Sequence, residues 1–333
     1  MKAPQTAKRI LSGVQPSGKL HLGNYFGAVR QHIALQTEAE AFYFIANYHA
    51  LTTIQDAEVL RANTRDVALD YLALGLDPDR ATFFRQSDVP EVTELAWILS
   101  TVTNMGLLER AVSYRDKVER GIEASVGLFF YPVLMAADIL IYRSHVVPVG
   151  QDQVQHIEMT RDMAGRFNRT FAEVFPVPTH RLDVGAKVPG TDGQKMSKSY
   201  GNTIDIFAEG KPLQRTVMGI KTDSTPQGQP LNPETCNVFA LYGLFATPAE
   251  KAEMAGLYRS GGIGYGDAKK RLLEKINAHF DAARQKRKKL AADPDYVEDV
   301  LRRGAQRARA EAQETMALVR EAVGMRPCPY PPG

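Results

Sequence analysis

The sequence predicts an α/β protein, a parallel β-sheet with helices on both faces, followed by an all-helical C-terminal part. Three observations predict it. Apolar runs with strand character alternate with helix-period segments through the first 205 residues, as in βαβ units. Twice, near Gly13–Gly23 and again at Gly150, an apolar run ends in glycine and passes straight into a helix. Beyond residue 206 only helical periodicity remains.

In order, Ile10-Leu-Ser-Gly-Val14 reads as the first strand, and Tyr25–Glu38 as a helix with Phe26, Val29, Ile33 and Leu35 on one face. Ala41–Ala46 is a buried second strand. Asp56–Gly75 is a helix ending at Gly75, Ala81–Phe84 a third strand, and Glu94–Met105 a helix. A polar stretch, about 106–126 and containing Lys117, is an inserted connection across the site. Phe129–Ile141 is an apolar helix starting near Pro132, and Asp138 lies in its middle. A carboxylate among Leu, Met and Ile needs a partner or a raised pKa, so it either caps backbone or meets a ligand. His145–Val149 is a strand, Gly150-Gln-Asp-Gln153 a turn, and Val154–Phe167 a helix. Asp152 there is an N-cap or a ligand group. Residues 189–202, with three glycines, form a loop and hinge. Lys251–Leu257, Asp267–Leu290 and Asp295–Val323 are helical, and residues 327–333 are a Pro-rich tail. The expected division is a catalytic domain over 1–205 and a helical domain over 206–326.

Composition bounds the chemistry. With 333 residues, 44% hydrophobic and 24% charged, the chain has the make-up of a globular protein with ample core. Its two cysteines, Cys236 and Cys328, are far apart, and neither C-x-x-C nor H-E-x-x-H occurs, so no zinc site or disulfide framework is expected. Met1–Ile10 lacks the apolar core of a secretory signal, and Val126–Tyr142, interrupted by Pro132 and Asp138, is short for a membrane span. A cytoplasmic location is expected. Net charge is −3 up to residue 210 and +6 from Lys211 onward, which suits a polyanionic partner or ordinary surface variation. Arg284-Gln-Lys-Arg-Lys-Lys289 is the densest basic run, either a solvated face or a nucleic-acid contact.

The chemistry concentrates in Gln15-Pro-Ser-Gly-Lys-Leu-His-Leu-Gly-Asn24. A glycine-rich turn entering a helix aims N–H groups and a positive helix end at one point, which suits phosphate. Gly13-x-x-x-x-Gly18-Lys19 has P-loop spacing, but Leu20 stands where Ser or Thr must hold magnesium, and no G-x-G-x-x-G is present. A second stretch, Lys195-Met-Ser-Lys-Ser199, lies in the 189–202 loop.

Together, His21-Leu-Gly-Asn24 and Lys195–Ser199 resemble the two signatures of class I aminoacyl-tRNA synthetases, the second at all five positions. Ser12–Gly18, Tyr131-Pro-Val-Leu-Met-Ala-Ala-Asp138 and Val147–Gln153 extend the resemblance to the tryptophan branch over nearly the whole chain. Asn24 agrees with that branch, although His21 stands where it commonly has Thr. The tyrosine branch shares the architecture but typically has Gln where Met135 stands. The resemblance implies a Rossmann-like catalytic domain and a two-step reaction. ATP and tryptophan give an adenylate and pyrophosphate, and the acyl group then passes to tRNA. It implies a catalytic set of His21, Asn24, Lys117, Lys195, Ser197 and Lys198. It implies contacts to ATP, arriving with Mg2+, from Gln15, Ser17, Gly23, Asn24, Gly150, Asp152, Lys195, Met196, Ser197 and Lys198. For tryptophan it implies Leu11, His49, Tyr131, Met135, Asp138, Val147, Val149 and Gln153. Arg284, Lys286, Arg287, Lys288 and Lys289 are the candidate tRNA contacts. A homodimer is expected, and the two cysteines cannot supply the four ligands of the iron–sulfur cluster that some relatives carry. The other readings are a tyrosine enzyme, a small nucleotidyltransferase and a non-catalytic RNA-binding paralogue.

Overall fold

The computed structural model describes residues 8–111, 121, 125–182, 188–226 and 228–325. Five parallel strands, β1 (Arg9–Val14), β2 (Glu40–Ile45), β3 (Thr82–Arg85), β4 (Val146–Val149) and β5 (Thr179–Leu182), lie in the order β3-β2-β1-β4-β5. The chain builds outward from β1 through β2 to β3, then returns to place β4 on the other side of β1. That reversal makes a crevice above β1 and β4, where ligands sit in open parallel sheets.

Alternation along β2 sends Tyr43 and Ile45 to one face and Phe42 and Phe44 to the other, and all four are buried. The first face is covered by α1, which enters as Leu22–Asn24, passes through a π-helical stretch at Tyr25–Val29 and continues as Arg30–Leu35, and by α3 (Ala57–Ala73). Between them in sequence is a short helix, α2 (Asn47–Ala50). The second face is covered by α4 (Glu91–Val102), α5 (Val126–Ile141) and α6 (Val154–Thr170). Pro132 does not start α5. The helix begins a turn and a half earlier, where the Ser125 hydroxyl accepts the Leu128 N–H, and Pro132 is carried inside it. β5 escapes the sequence reading because all four of its residues are exposed, leaving no apolar pattern.

The C-terminal helices are α7 (Gly210–Met218), α8 (Asn237–Tyr242), α9 (Pro248–Ser260), α10 (Tyr265–Ala291) and α11 (Pro294–Ala322). The expected division at 205/206 does not coincide with a break in packing. Leu213, Val238, Leu272 and Ile276 share one apolar cluster with Tyr43 and Ile45, so the helical part is built onto the sheet's first face. α11 then runs along the edge strand β3. Its Val297, Val300 and Leu301 join the first cluster, whereas Ala305, Ala308, Ala312 and Met316 join the second.

That approach depends on Gly304. A Cβ there would stand 1.8 Å from the Phe83 carbonyl oxygen, a backbone atom that cannot move aside without shifting β3. Gly304→Ala is therefore expected to lower stability, seen as a lower urea midpoint, by about 1–3 kcal/mol of overpacking less the roughly 1 kcal/mol that Ala gains over Gly as a helix former. A midpoint equal to or above that of the parent protein would show that the helix has room to retreat.

Candidate active site

A cavity of about 610 Å³ opens at the β1/β4 switch point. Leu11 and Gly13 reach it from alternate positions of β1, and Val147 and Val149 from alternate positions of β4. Tyr131, Met135 and Asp138 follow one another at helical spacing down a single face of α5. His49 enters from α2, and Gln15 and Gln153 from the turns after β1 and β4. The structure thus brings all eight residues proposed for the amino acid onto one cavity. Ser12, Phe44, Ile139, Gln155 and His156 share its wall and were not anticipated.

Asp138 is 2% exposed. Burial pushes its carboxyl up from the ordinary carboxylate range, and hydrogen bonds with His49 and Gln86 draw it back. Its Oδ2 lies 2.8 Å from His49 Nε2, while the Gln86 amide donates to Oδ1 and Oδ2 at 2.8 and 2.9 Å. Gln86 stands in the 3-10 turn after β3, and its own Oε1 accepts the Tyr48 and His49 N–H groups at 3.0 and 3.4 Å. The protein therefore supplies donors that the sequence reading left to the substrate. Beside them, the Tyr131 hydroxyl is 2.5 Å from His156 Nε2.

The two signature stretches meet beside this cavity. Residues 20–22 run antiparallel to 204–206, through Leu22 N–H to Ile204 O at 3.0 Å and Ile206 N–H to Leu20 O at 3.2 Å. That pairing lays the second signature against the first. The Gly23 N–H donates to Met196 Sδ at 3.4 Å, and Lys198 Nζ donates to the Ser17 carbonyl at 2.9 Å. Ser197 lies beside them with its hydroxyl 2.9 Å from that of Ser199, and Lys195 is exposed at the loop surface. Gly150 opens the 3-10 turn Gln151–Gln153 and thereby sets the entry to α6. For Asp152 only the backbone of that turn is described, and Lys117 lies outside the described residues.

His21 caps α1. Its Nδ1 accepts the Asn24 N–H at 3.3 Å, while Asn24 Oδ1 accepts the His21 N–H at 3.2 Å. With Nδ1 an acceptor, the neutral ring carries its proton on Nε2. Burial first, and the Lys198 charge second, lower the imidazole to about 4 against a smaller opposing effect of Asp205. Because the folded value lies below the ordinary 6.5, the fold favours the neutral ring. That preference adds stability above pH 6.5, and the stability is lost as pH falls toward 4. NMR titration of imidazole-labelled protein should place the His21 inflection near 4 and show no change at pH 6–7. An inflection at the solvent value would mean that the ring is hydrated in the folded protein.

The basic run on α10 is only partly a surface. Arg284 is 3% exposed, donating from Nε to the Ile206 carbonyl at 3.0 Å and from Nη1 to Asn277 Oδ1 at 2.8 Å. Arg287 binds Asp70 at 2.5 Å and Asp66 at 2.7 Å on α3, and Lys288 pairs with Glu209 at 2.6 Å. The expectation that all five cations face nucleic acid is corrected for Arg284, which is buried; Arg287 and Lys288 are paired with the protein's own carboxylates. Lys286 and Lys289 are exposed and make no ion pair among the described residues. No cluster of His, Cys, Asp and Glu able to hold a metal occurs among the described residues, and none of their helices is long and apolar enough to cross a membrane.

A parallel sheet with a switch-point cavity, and two signature stretches in contact beside it, define a nucleotide-dependent activating enzyme. The chain belongs to the class I tRNA synthetases (W and Y), whose family model matches residues 3–281. It is 56% identical over 319 residues to the tryptophan–tRNA ligase of Rhodopirellula baltica, covering 96% of this chain and 100% of that one. It superposes with a TM-score of 0.92 on a tryptophanyl-tRNA synthetase from Campylobacter jejuni in complex with ADP and tryptophan, 49% identical and covering 95% of this chain and 100% of that one. A tyrosyl-tRNA synthetase from Archaeoglobus fulgidus, 22% identical with a TM-score of 0.65, shares the fold over 84% of this chain and 90% of its own.

Proposed function

We propose that the protein is a tryptophan–tRNA ligase. It activates L-tryptophan with ATP to tryptophanyl-adenylate and pyrophosphate, then transfers tryptophan to the 3′ end of tRNA(Trp). The observation that carries this reading is Asp138, a buried carboxylate on the wall of the switch-point cavity, where it can accept an indole N–H. Met135, Val147 and Val149 supply the apolar walls for the ring, and Tyr131 and Gln153 supply polar atoms for the ammonium group.

The tryptophan carboxylate is itself the nucleophile, so no covalent enzyme intermediate is needed. Its oxygen attacks the α-phosphorus, and the bond to the bridging oxygen of pyrophosphate breaks. Catalysis consists of alignment and charge stabilisation. His21, fixed as an Nε2–H donor, and Asn24 meet the phosphates, with Gly23 leaving room for the nucleotide. Gly150 and Asp152 face the ribose and adenine. Lys195, Ser197 and Lys198, with Lys117, take the charge developing on pyrophosphate. Magnesium arrives bound to ATP. Lys286 and Lys289 are the cations of α10 left to meet tRNA phosphate, and the working form is a cytoplasmic homodimer.

The test is ATP–pyrophosphate exchange with each of the twenty amino acids, followed by charging of tRNA(Trp) across a salt series. Tryptophan alone should support rapid exchange, and Lys286→Glu with Lys289→Glu should weaken charging and flatten its salt dependence while sparing exchange. Exchange driven by tyrosine would overturn the assignment, and exchange with none of the twenty would return the chain to an RNA-binding role.

A further inference from the structure

The loop that carries Lys195–Ser199 is organised around a residue outside the signature. The geometry points to Asn202 as the positioning residue of that loop, an internal clamp that sets Lys195, Ser197 and Lys198 in register with the triphosphate. The inference rests on the ligase reading above, because it assigns those three side chains to phosphate.

Asn202 is 2% exposed, although the loop around it is largely at the surface. Its Oδ1 accepts the Ser197 N–H at 2.8 Å. Its Nδ2 donates to the Lys195 carbonyl at 3.2 Å and to Asp192 Oδ1 at 2.7 Å. One amide thus spans both sides of Met196, the residue whose sulfur receives the Gly23 N–H from the first signature. The Met196 N–H is held in turn by the Val188 carbonyl at 3.0 Å, and the Thr191 N–H by the Asn202 carbonyl at 2.9 Å. The loop is therefore stitched to a single side chain from three directions.

Packing makes the amide hard to replace. A Cβ on Gly190 would stand 2.2 Å from Nδ2, so the backbone there lies directly on the Asn202 side chain. Asp192 also accepts the Gln194 N–H at 3.0 Å, and the bond from Asn202 is the main reason its carboxyl sits below the usual range. Both amide hydrogens and one oxygen lone pair of Asn202 are used, which no other uncharged side chain of that size can do. Loop lysines on flexible stems lose effectiveness when their backbone wanders. A displacement of about 1 Å in a positioning element costs on the order of 10²-fold in rate.

The experiment compares three variants in the full-length protein with the parent, by steady-state pyrophosphate exchange at varied ATP and tryptophan. Asn202→Ala is expected to lower kcat by roughly 10- to 10²-fold while the KM for tryptophan stays within about twofold. Asn202→Asp keeps an acceptor for the Ser197 N–H but loses both donors and sets a carboxylate against Asp192, so its loss should be at least as large. Adding Asp192→Asn to Asn202→Asp returns an amide donor across the same contact and should recover much of kcat. This pair decides the matter even where Asn202→Ala does not fold, because a general structural defect would not be repaired by exchanging amide and carboxylate. Unchanged kcat in folded Asn202→Ala, an equal rise in the KM for tryptophan, or no recovery in the double variant would each overturn the inference. A parent protein without tryptophan-dependent exchange would overturn the ligase reading instead.

Discussion

Lys198→Ala should slow tryptophanyl-adenylate formation by roughly 10²-fold or more, the order found when one preorganised donor is removed from a developing charge. In the structure the Lys198 ammonium already reaches across to the Ser17 carbonyl at 2.9 Å, inside the glycine-containing turn after β1. On the proposed reading, triphosphate oxygens replace that carbonyl, and the contact strengthens as charge moves onto pyrophosphate. The loss should fall on the chemical step, with tryptophan affinity unchanged. Rapid-quench single-turnover kinetics would measure it, and a normal burst rate would give the loop another task. A second readout does not depend on activity. Because the Lys198 charge helps lower the His21 imidazole, its removal should move the His21 titration upward from about 4.

Asp138→Ala should cost tryptophan activation about 2–4 kcal/mol, as expected for a charge-assisted hydrogen bond lost from a closed site. Phenylalanine has no indole N–H, so its activation, poor from the start, should fall much less and discrimination should narrow. The structure adds a complication that the assay must separate. Asp138 also receives the Gln86 amide and faces His49 Nε2, so its removal strands two donors in the protein. Gln86→Ala leaves the carboxylate in place but frees it to turn, and should therefore weaken tryptophan activation less than Asp138→Ala does. Exchange with both amino acids on all three proteins, after circular dichroism has confirmed folding, gives the comparison. Equal losses for tryptophan and phenylalanine would mean that Asp138 braces the pocket and does not read the indole.

Most of the fold was legible because burial leaves a period behind. β1, β2 and the body of α3 are legible within a few residues from their apolar residues, α6 from the strand–glycine–helix arrangement before it, and Asp56 stands at the start of α3, where it accepts the Glu58 and Val59 N–H groups. β5 left no such trace, since all four of its residues are exposed and only the last, Leu182, is apolar. Arg284 misled because a basic run reads as surface. Yet it continues the four-residue stripe of Leu272, Ile276 and Phe280, and that phase marks the inner face of α10. The cavity residues on α5 and β4 were visible as a motif, whereas Gln86 was not. A glutamine in a polar turn carries no pattern, and only the meeting of β3, α2 and α5 gives it a task. Lys117 and the side chain of Asp152 fall outside what the structure describes.

The close seat of α11 on β3 bears on how the chain is made. β3 is synthesised early, but the helix that covers its open edge is synthesised more than 200 residues later. At about 5–20 residues per second, the ribosome needs roughly 10–50 s to travel from Arg85 to Ala322. Throughout that interval the nascent sheet presents Phe83 and Phe84 on an uncovered strand edge, the kind of surface that pairs with other chains. Ribosome-bound fragments ending before α11 should therefore be natural clients of chaperones, and release from them should follow the emergence of Gly304 and the alanines after it.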